Sequence, residues 1–292
     1  MYTIKHSNSA LEIENSSQTV FAKICLNDGA SLQELKLFGT TLIKDLSPLD
    51  YKNTYASSVL FPFANRIKDG TYQYNGETYK FPINEVANNN ALHGLVFNKT
   101  FNVIDEVSTK NSASVKLLYK ETQKSEGFPF TFSIQLEYRI TETTLDLNVE
   151  VMNTDTEVFP FTLGWHPYFL SSNLSESLLS FNSSKKMAFS DRMITTETIN
   201  NPDSSEILLK NKQLDDCWAL DNTNVEFATP NYNLSINSSE EDCFLQAYTP
   251  PLTNVIAIEP TTGVSDSFNN KIGLKTLNPG DRYTLNWNLK LN

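Results

Sequence analysis

Cysteine is scarce in this chain. Cys25, Cys217 and Cys243 are odd in number and show no Cys-x-x-Cys spacing, which reads as three free, mostly buried thiols in a reducing compartment. Arginine is scarcer for a chain of 292 residues: only Arg66, Arg139, Arg192 and Arg282 occur, and no basic cluster suits a phosphorylated ligand or an anionic membrane. With 34 acidic against 23 basic residues the formal charge is -11. Such a surface repels phosphate backbones, so nucleic acid is not an expected partner. No apolar run approaches the roughly 18 residues of a membrane span, and the start, Met1-Tyr-Thr-Ile-Lys-His-Ser-Asn, lacks the charged and apolar regions of a secretory signal. The expectation is a cytoplasmic protein without a membrane partner.

Helical patterns are also nearly absent, and period-two alternation takes their place. Phe132, Ile134, Leu136, Tyr138 and Ile140 share one face of a strand; Leu145–Val151 and Thr284–Leu291 repeat the pattern. Strands of this kind bury one face and wet the other, as in antiparallel sheets. Thr141-Glu-Thr-Thr144 is a plausible tight connection, and Asn75-Gly76 between alternating aromatics signals a hairpin. The Ser-, Asn- and Thr-rich stretches 170–184 and 195–205 read as loops or irregular strands. There is neither a repeat nor a low-complexity linker. The fold class expected is all-β, one large antiparallel β-sandwich spanning 1–292 as a single domain.

Histidine is limited to His6, His93 and His166. His6 falls in the first strand region and reads as a surface group. His93 lies in Ala91-Leu-His-Gly94 and His166 in Gly164-Trp-His-Pro-Tyr-Phe169. A metal site built from His93, His166, Asp215 and Glu259 lacks any local pair of ligands, so no metal is expected. A nucleophile elbow is missing, and no cysteine sits in an activated context. Val255-Ile-Ala-Ile-Glu259 places a carboxylate at the end of an apolar strand, either as the exit to solvent or as a buried group with a task. Glu259 and His166 are each followed by proline, which favours extended geometry and stiff placement.

Four short motifs in order resemble the aldose 1-epimerase (galactose mutarotase) family: Asn65-Arg66-Ile67 with the hairpin after it, Leu92-His93-Gly94, His166-Pro-Tyr-Phe169, and Glu259-Pro-Thr-Thr-Gly263. A late Leu277-Asn-Pro-Gly280-Asp resembles the closing turn of that family. The resemblance implies a galactose mutarotase-like supersandwich with a sugar cleft on one sheet. It implies Glu259 as general base and His166 as general acid, with Arg66 and His93 binding the sugar. Asp215 is implied as a further ligand because the family has Asp three positions before an aromatic, here Trp218; the adjacent Asp216 leaves the choice open. Gln246 is the weakest of the implied contacts. Leu170-Ser171 stands where galactose-handling members have Asn-Leu, so galactose specificity is not implied.

The implied reaction opens a free aldose at C1 and recloses it on the other carbonyl face. It needs one base, one acid and no cofactor. A glutamate near its reference pKa of about 4.3 is a ready base, and a histidine near about 6.5 needs a carboxylate beside it to stay protonated. Trp165 or Tyr168 offers an apolar face to the ring. The alternatives are a hexose-6-phosphate 1-epimerase, a non-catalytic sugar-binding protein on the same scaffold, and a glycoside hydrolase using Glu259 with Asp215 or Asp216. The physiological sugar and the oligomeric state are left open.

Overall fold

The computed structural model describes residues 1–203 and 205–292. Its longest strands are those with the clearest alternation. Phe132–Ile140 and Thr144–Asn153 pair antiparallel over their length, burying every second residue. Thr141 closes the turn between them, its N–H donating to the Thr144 carbonyl at 2.9 Å. They form the middle of a nine-stranded sheet running Asn102–Ser108, Ala113–Glu121, Phe132–Ile140, Thr144–Asn153, Arg282–Leu291, Asn233–Ser238, Asn224–Ala228, Leu178–Phe181, Glu206–Leu208.

A second sheet packs on its apolar face. Its order is Thr195–Asn200, Lys185–Phe189, Asp215–Ala219, Phe244–Tyr248, Val255–Thr261, Gly164–Trp165, Val59–Leu60, with Tyr168–Leu170 also paired to Val255–Thr261. Aromatic pairs lock the two layers. Trp165 stacks on Trp287 with centroids 6.2 Å apart, and Phe181 meets Trp218 at 4.9 Å. Leu136, Leu147 and Leu289 are fully buried in this layer, each worth roughly 1.5–3 kcal/mol of transfer free energy. A five-stranded N-terminal meander from Tyr2–His6 to Thr40–Ile43 adds Leu11, Ile24 and Leu35 to the same apolar cluster.

The Asn75-Gly76 hairpin is present between Thr71–Tyr74 and Glu77–Lys80, both turn residues having positive φ. His6 is exposed and pairs with Glu106 at 2.6 Å. All three cysteines are free, Cys217 and Cys243 buried and Cys25 partly so. The stretches read as loops or irregular strands hold two short strands, Leu178–Phe181 and Thr195–Asn200; Ser204 lies outside the described residues. The α-helices described are the single turns Tyr51–Thr54 and Ser267–Asn270. Among the described residues no helix is long and apolar enough to cross a membrane.

Candidate active site

The site is built where one strand loses a neighbour. Val255–Thr261 runs unbroken beside Phe244–Tyr248. On its other side Tyr168–Leu170 pairs with residues 255–257 and Gly164 pairs with Thr261, leaving Trp165, His166 and Pro167 opposite Pro260, Glu259 and Ile258. Neither proline has an N–H to give, and of this stretch the Pro167 carbonyl still accepts from Ile258 N–H at 3.2 Å. His166 instead bonds outward: its N–H donates to the Ser58 carbonyl at 3.0 Å and its carbonyl accepts from Ser57 N–H at 2.8 Å. Across the opening His166 Nε2 lies 3.3 Å from Glu259 Oε1. Glu259 is thus mid-strand and buried at 3% exposure, which removes the reading of a strand exit to solvent.

Strand register brings the next groups alongside. Gln246 is the direct partner of Glu259, and its Nε2 donates to Asp215 Oδ1 at 2.7 Å. Asp215 lines the cavity, whereas Asp216 ion-pairs with Lys186 at 2.9 Å, away from that lining. Alternation along Asp215–Ala219 separates the two carboxylates. The same alternation chooses between the two rings offered by the sequence: Tyr168 lines the cavity two residues after His166, stacked 4.9 Å from its ring, while Trp165 is wholly buried and donates to the Ser57 carbonyl.

Arg66 and His93 arrive from two short paired strands, Arg66–Lys68 and Asn90–Leu92. Asp266 pins the first of these, donating its N–H to the Arg66 carbonyl at 2.7 Å and accepting from Lys68 N–H at 3.0 Å. His93 has φ +63°, in the left-handed region, a conformation costing on the order of 1–3 kcal/mol outside glycine. Gly94 follows at φ +73°, so close to Phe61 that a Cβ would sit 2.3 Å from its carbonyl oxygen. This crossing turns the His93 ring into the site, edge-on to His166 at 5.2 Å and against Tyr55 at 4.7 Å.

Together these side chains line a cavity of about 300 Å³. All six residues singled out from the sequence, Arg66, His93, His166, Asp215, Gln246 and Glu259, are in its wall. So are Asn65, Tyr55, Glu85 and Tyr248, which were not singled out as contacts. A larger depression of about 520 Å³ lies on the outer face of the nine-stranded sheet, where Arg282 is already paired with Glu150. It has no histidine and no buried carboxylate pair. Among the described residues no group of three or more His, Cys, Asp or Glu side chains is disposed to hold a metal ion.

Burial sets the protonation of the cavity. It pushes Glu259 well above the ordinary carboxylate range, Asp215 adding to the rise and Arg66 opposing it. Burial also lowers His166 to about 3 and His93 well below its ordinary value, with His166 and Arg66 contributing. Asp215 is raised, again chiefly by burial. The expectation of an ionised glutamate holding a histidine protonated is therefore revised. Acid plus neutral imidazole and carboxylate plus imidazolium contain the same single proton, and a dry site favours the uncharged arrangement. The Nδ1 atoms of His93 and His166 are buried without a hydrogen-bond partner among the described residues.

The family model described as aldose 1-epimerase matches residues 10–290. The Escherichia coli K12 protein YihR is 26% identical over 280 residues, covering 89% of this chain and 87% of its own length. A galactose mutarotase-like protein from Clostridium acetobutylicum superposes with a TM-score of 0.87 at 23% identity, covering all of this chain and 98% of the other. A galactose 1-epimerase from Lactobacillus acidophilus NCFM gives 0.82 at 15% identity, with 100% and 98% coverage. The chain has the galactose mutarotase-like fold, and it belongs to the aldose 1-epimerase family.

Proposed function

We propose that this protein interconverts the α and β anomers of a free aldose, with Glu259 and His166 as its proton-transfer pair. The observation that carries this reading is their 3.3 Å contact at the wall of a cavity that also presents Arg66, His93, Asp215 and Gln246. About 300 Å³ is at the small end of ligand cavities and fits a monosaccharide better than a chain of sugars. Tyr168 supplies the apolar face against the ring.

Passing the pair's one proton from Glu259 to His166 produces the carboxylate–imidazolium form, in which the Arg66 charge favours the carboxylate and opposes the imidazolium. Glu259 then takes the proton of the C1 hydroxyl while His166 gives its proton to the ring oxygen, and the C1–O5 bond breaks. The open aldehyde faces a protonated Glu259 and a neutral His166, the arrangement that burial favours. Rotation about C1–C2 and the reverse transfers close the other anomer. Atoms and charge balance with no cofactor. Arg66, His93, Asp215 and Gln246 fix the remaining hydroxyls, and the free thiols suit the reducing cytoplasm.

Optical rotation of freshly dissolved α-D-glucose and α-D-galactose tests the reading. Faster approach to anomeric equilibrium in the presence of the protein is the expected result, and the two rates rank the sugars. Binding of either sugar with no acceleration would instead favour a sugar-binding protein on this scaffold.

A further inference from the structure

Glu85 was invisible as a functional residue in the sequence, yet both its oxygens are engaged by Arg66 in the cavity wall. Both its oxygens accept from Arg66 Nε, at 3.0 and 2.9 Å, and Oε1 also accepts from Nη2 at 2.8 Å. Arg66 Nη1 donates to Asn65 Oδ1 at 3.1 Å. Of the five N–H groups of a guanidinium, three are thereby used within the protein and two are left for hydroxyls.

The carboxylate is itself held from behind. Asn90 Nδ2 donates to it at 2.8 Å and Asn88 Nδ2 at 3.2 Å. The loop bearing all three is clamped by Arg192, which reaches in from the connection between Lys185–Phe189 and Thr195–Asn200. Its Nε donates to the Asn88 carbonyl at 2.7 Å, and its Nη2 to the Asn89 carbonyl at 2.8 Å and Asp69 Oδ1 at 2.8 Å. Asn90 Nδ2 returns a bond to the Arg192 carbonyl at 3.1 Å. Burial opposes ionisation of Glu85, and the Arg66 guanidinium with these amides outweighs it, leaving the carboxyl below its usual range.

Among the described residues Arg66 is the one Lys or Arg side chain in the cavity wall, and the wall also carries Asp215 and Glu259. We propose that Glu85 is a specificity-determining residue: by occupying the guanidinium fork of Arg66 it turns that arginine into a donor for neutral hydroxyls, so the site takes uncharged monosaccharides and rejects sugar phosphates and uronates. A phosphate binds most strongly to a free, bidentate guanidinium face. Here that face is filled, and an anion entering the cavity finds no unpaired Lys or Arg side chain among the described lining residues to offset its charge. This assignment rests on the epimerase reading and names the substrate class of the same site.

The test is exchange NMR of the anomeric protons of glucose, glucose 6-phosphate and glucuronate, with wild type, Glu85→Gln and Glu85→Asp. Wild type should turn over glucose with at least tenfold higher kcat/KM than either anion. Glu85→Gln keeps the shape and removes the charge, so it should narrow that preference tenfold or more, through a lower KM for the anions that rises again with added salt. Glu85→Asp should retain the neutral preference and serves as the folded control. Equal turnover of glucose and glucose 6-phosphate by wild type, or an equal loss for all three sugars in Glu85→Gln, would overturn the assignment while leaving the epimerase activity intact. No acceleration of any sugar by wild type would overturn the activity and this assignment together.

Discussion

At the scale of the residue, the account turns on buried ionisable groups. Glu259 has a folded-state pKa raised from 4.5, so its contribution to stability is fully present below about 4.5 and is lost as pH rises through the folded value. Glu259→Gln escapes that loss. The variant should therefore gain on wild type in thermal midpoint between pH 4 and pH 8, measured by circular dichroism in one buffer series, even as it loses activity. A constant difference across that range would mean the carboxyl is ionised at no cost in the folded state. His166 supplies a second prediction. Because its pKa is lowered from 6.5 to about 3, kcat/KM should show no acid limb near 6.5 and fall only toward pH 3, where the pair accepts a second proton. A clear inflection near 6.5 would return the histidine to an ordinary, exposed-like state.

Gly94 belongs to the same scale. A Cβ there would lie 2.3 Å from a backbone oxygen at a positive φ, so Gly94→Ala must shift the Phe61 segment or the His93 turn. A loss of about 2–4 kcal/mol in denaturant unfolding is expected, with kcat/KM reduced in what remains folded. Gly76, which also has positive φ but open space around it, should cost only about 1 kcal/mol as alanine and leave turnover unchanged.

At the scale of the element, alternation decides which of two adjacent residues acts. Asp215 faces Gln246 and the cavity, and Asp216 faces Lys186. Asp215→Asn should raise KM for the sugar about tenfold or more, and Asp216→Asn should leave steady-state kinetics within twofold. Reversal of the two effects would contradict the register of this strand. The prolines work at this scale too, since Pro167 and Pro260 withhold two N–H groups from the pairing on either side of the facing His166 and Glu259.

These elements also show what the sequence carried. Phe132–Ile140 and Thr144–Asn153 were legible because alternation over nine or more residues has one structural solution. His166 and Glu259 were legible through a following proline and through motifs that resemble a family. Trp165 was weighed equally with Tyr168 as a ring platform, although period two already put it on the face opposite His166. Glu85 left no local trace. It sits in an Asn-rich turn without periodicity, and its role is defined by an arginine 19 residues earlier and another from a distant loop. Pairings of that kind follow from sheet topology, which no window of sequence contains.

At the scale of the whole molecule, one apolar cluster runs from the N-terminal meander through both large sheets. We propose that residues 1–292 unfold as a single cooperative unit, and differential scanning calorimetry should give one transition with equal calorimetric and van't Hoff enthalpies. Two resolved transitions would divide the meander from the sandwich. The negative surface belongs here as well. It adds repulsion to the exclusion of anions at the cavity, so residual turnover of sugar phosphates should rise with ionic strength while that of neutral sugars stays flat.

The central claim is that His166 and Glu259 act as one proton-transfer unit. It is tested most directly by a double-mutant cycle in the rate of anomer exchange, using Glu259→Gln, His166→Asn and the double variant, each shown to be folded. Each single change should lower kcat/KM by roughly 10²- to 10⁴-fold, and the double variant should be little worse than either, because half of the pair cannot work alone. Multiplicative losses would show two groups acting independently, and wild-type rates in both single variants would remove the pair from the reaction altogether.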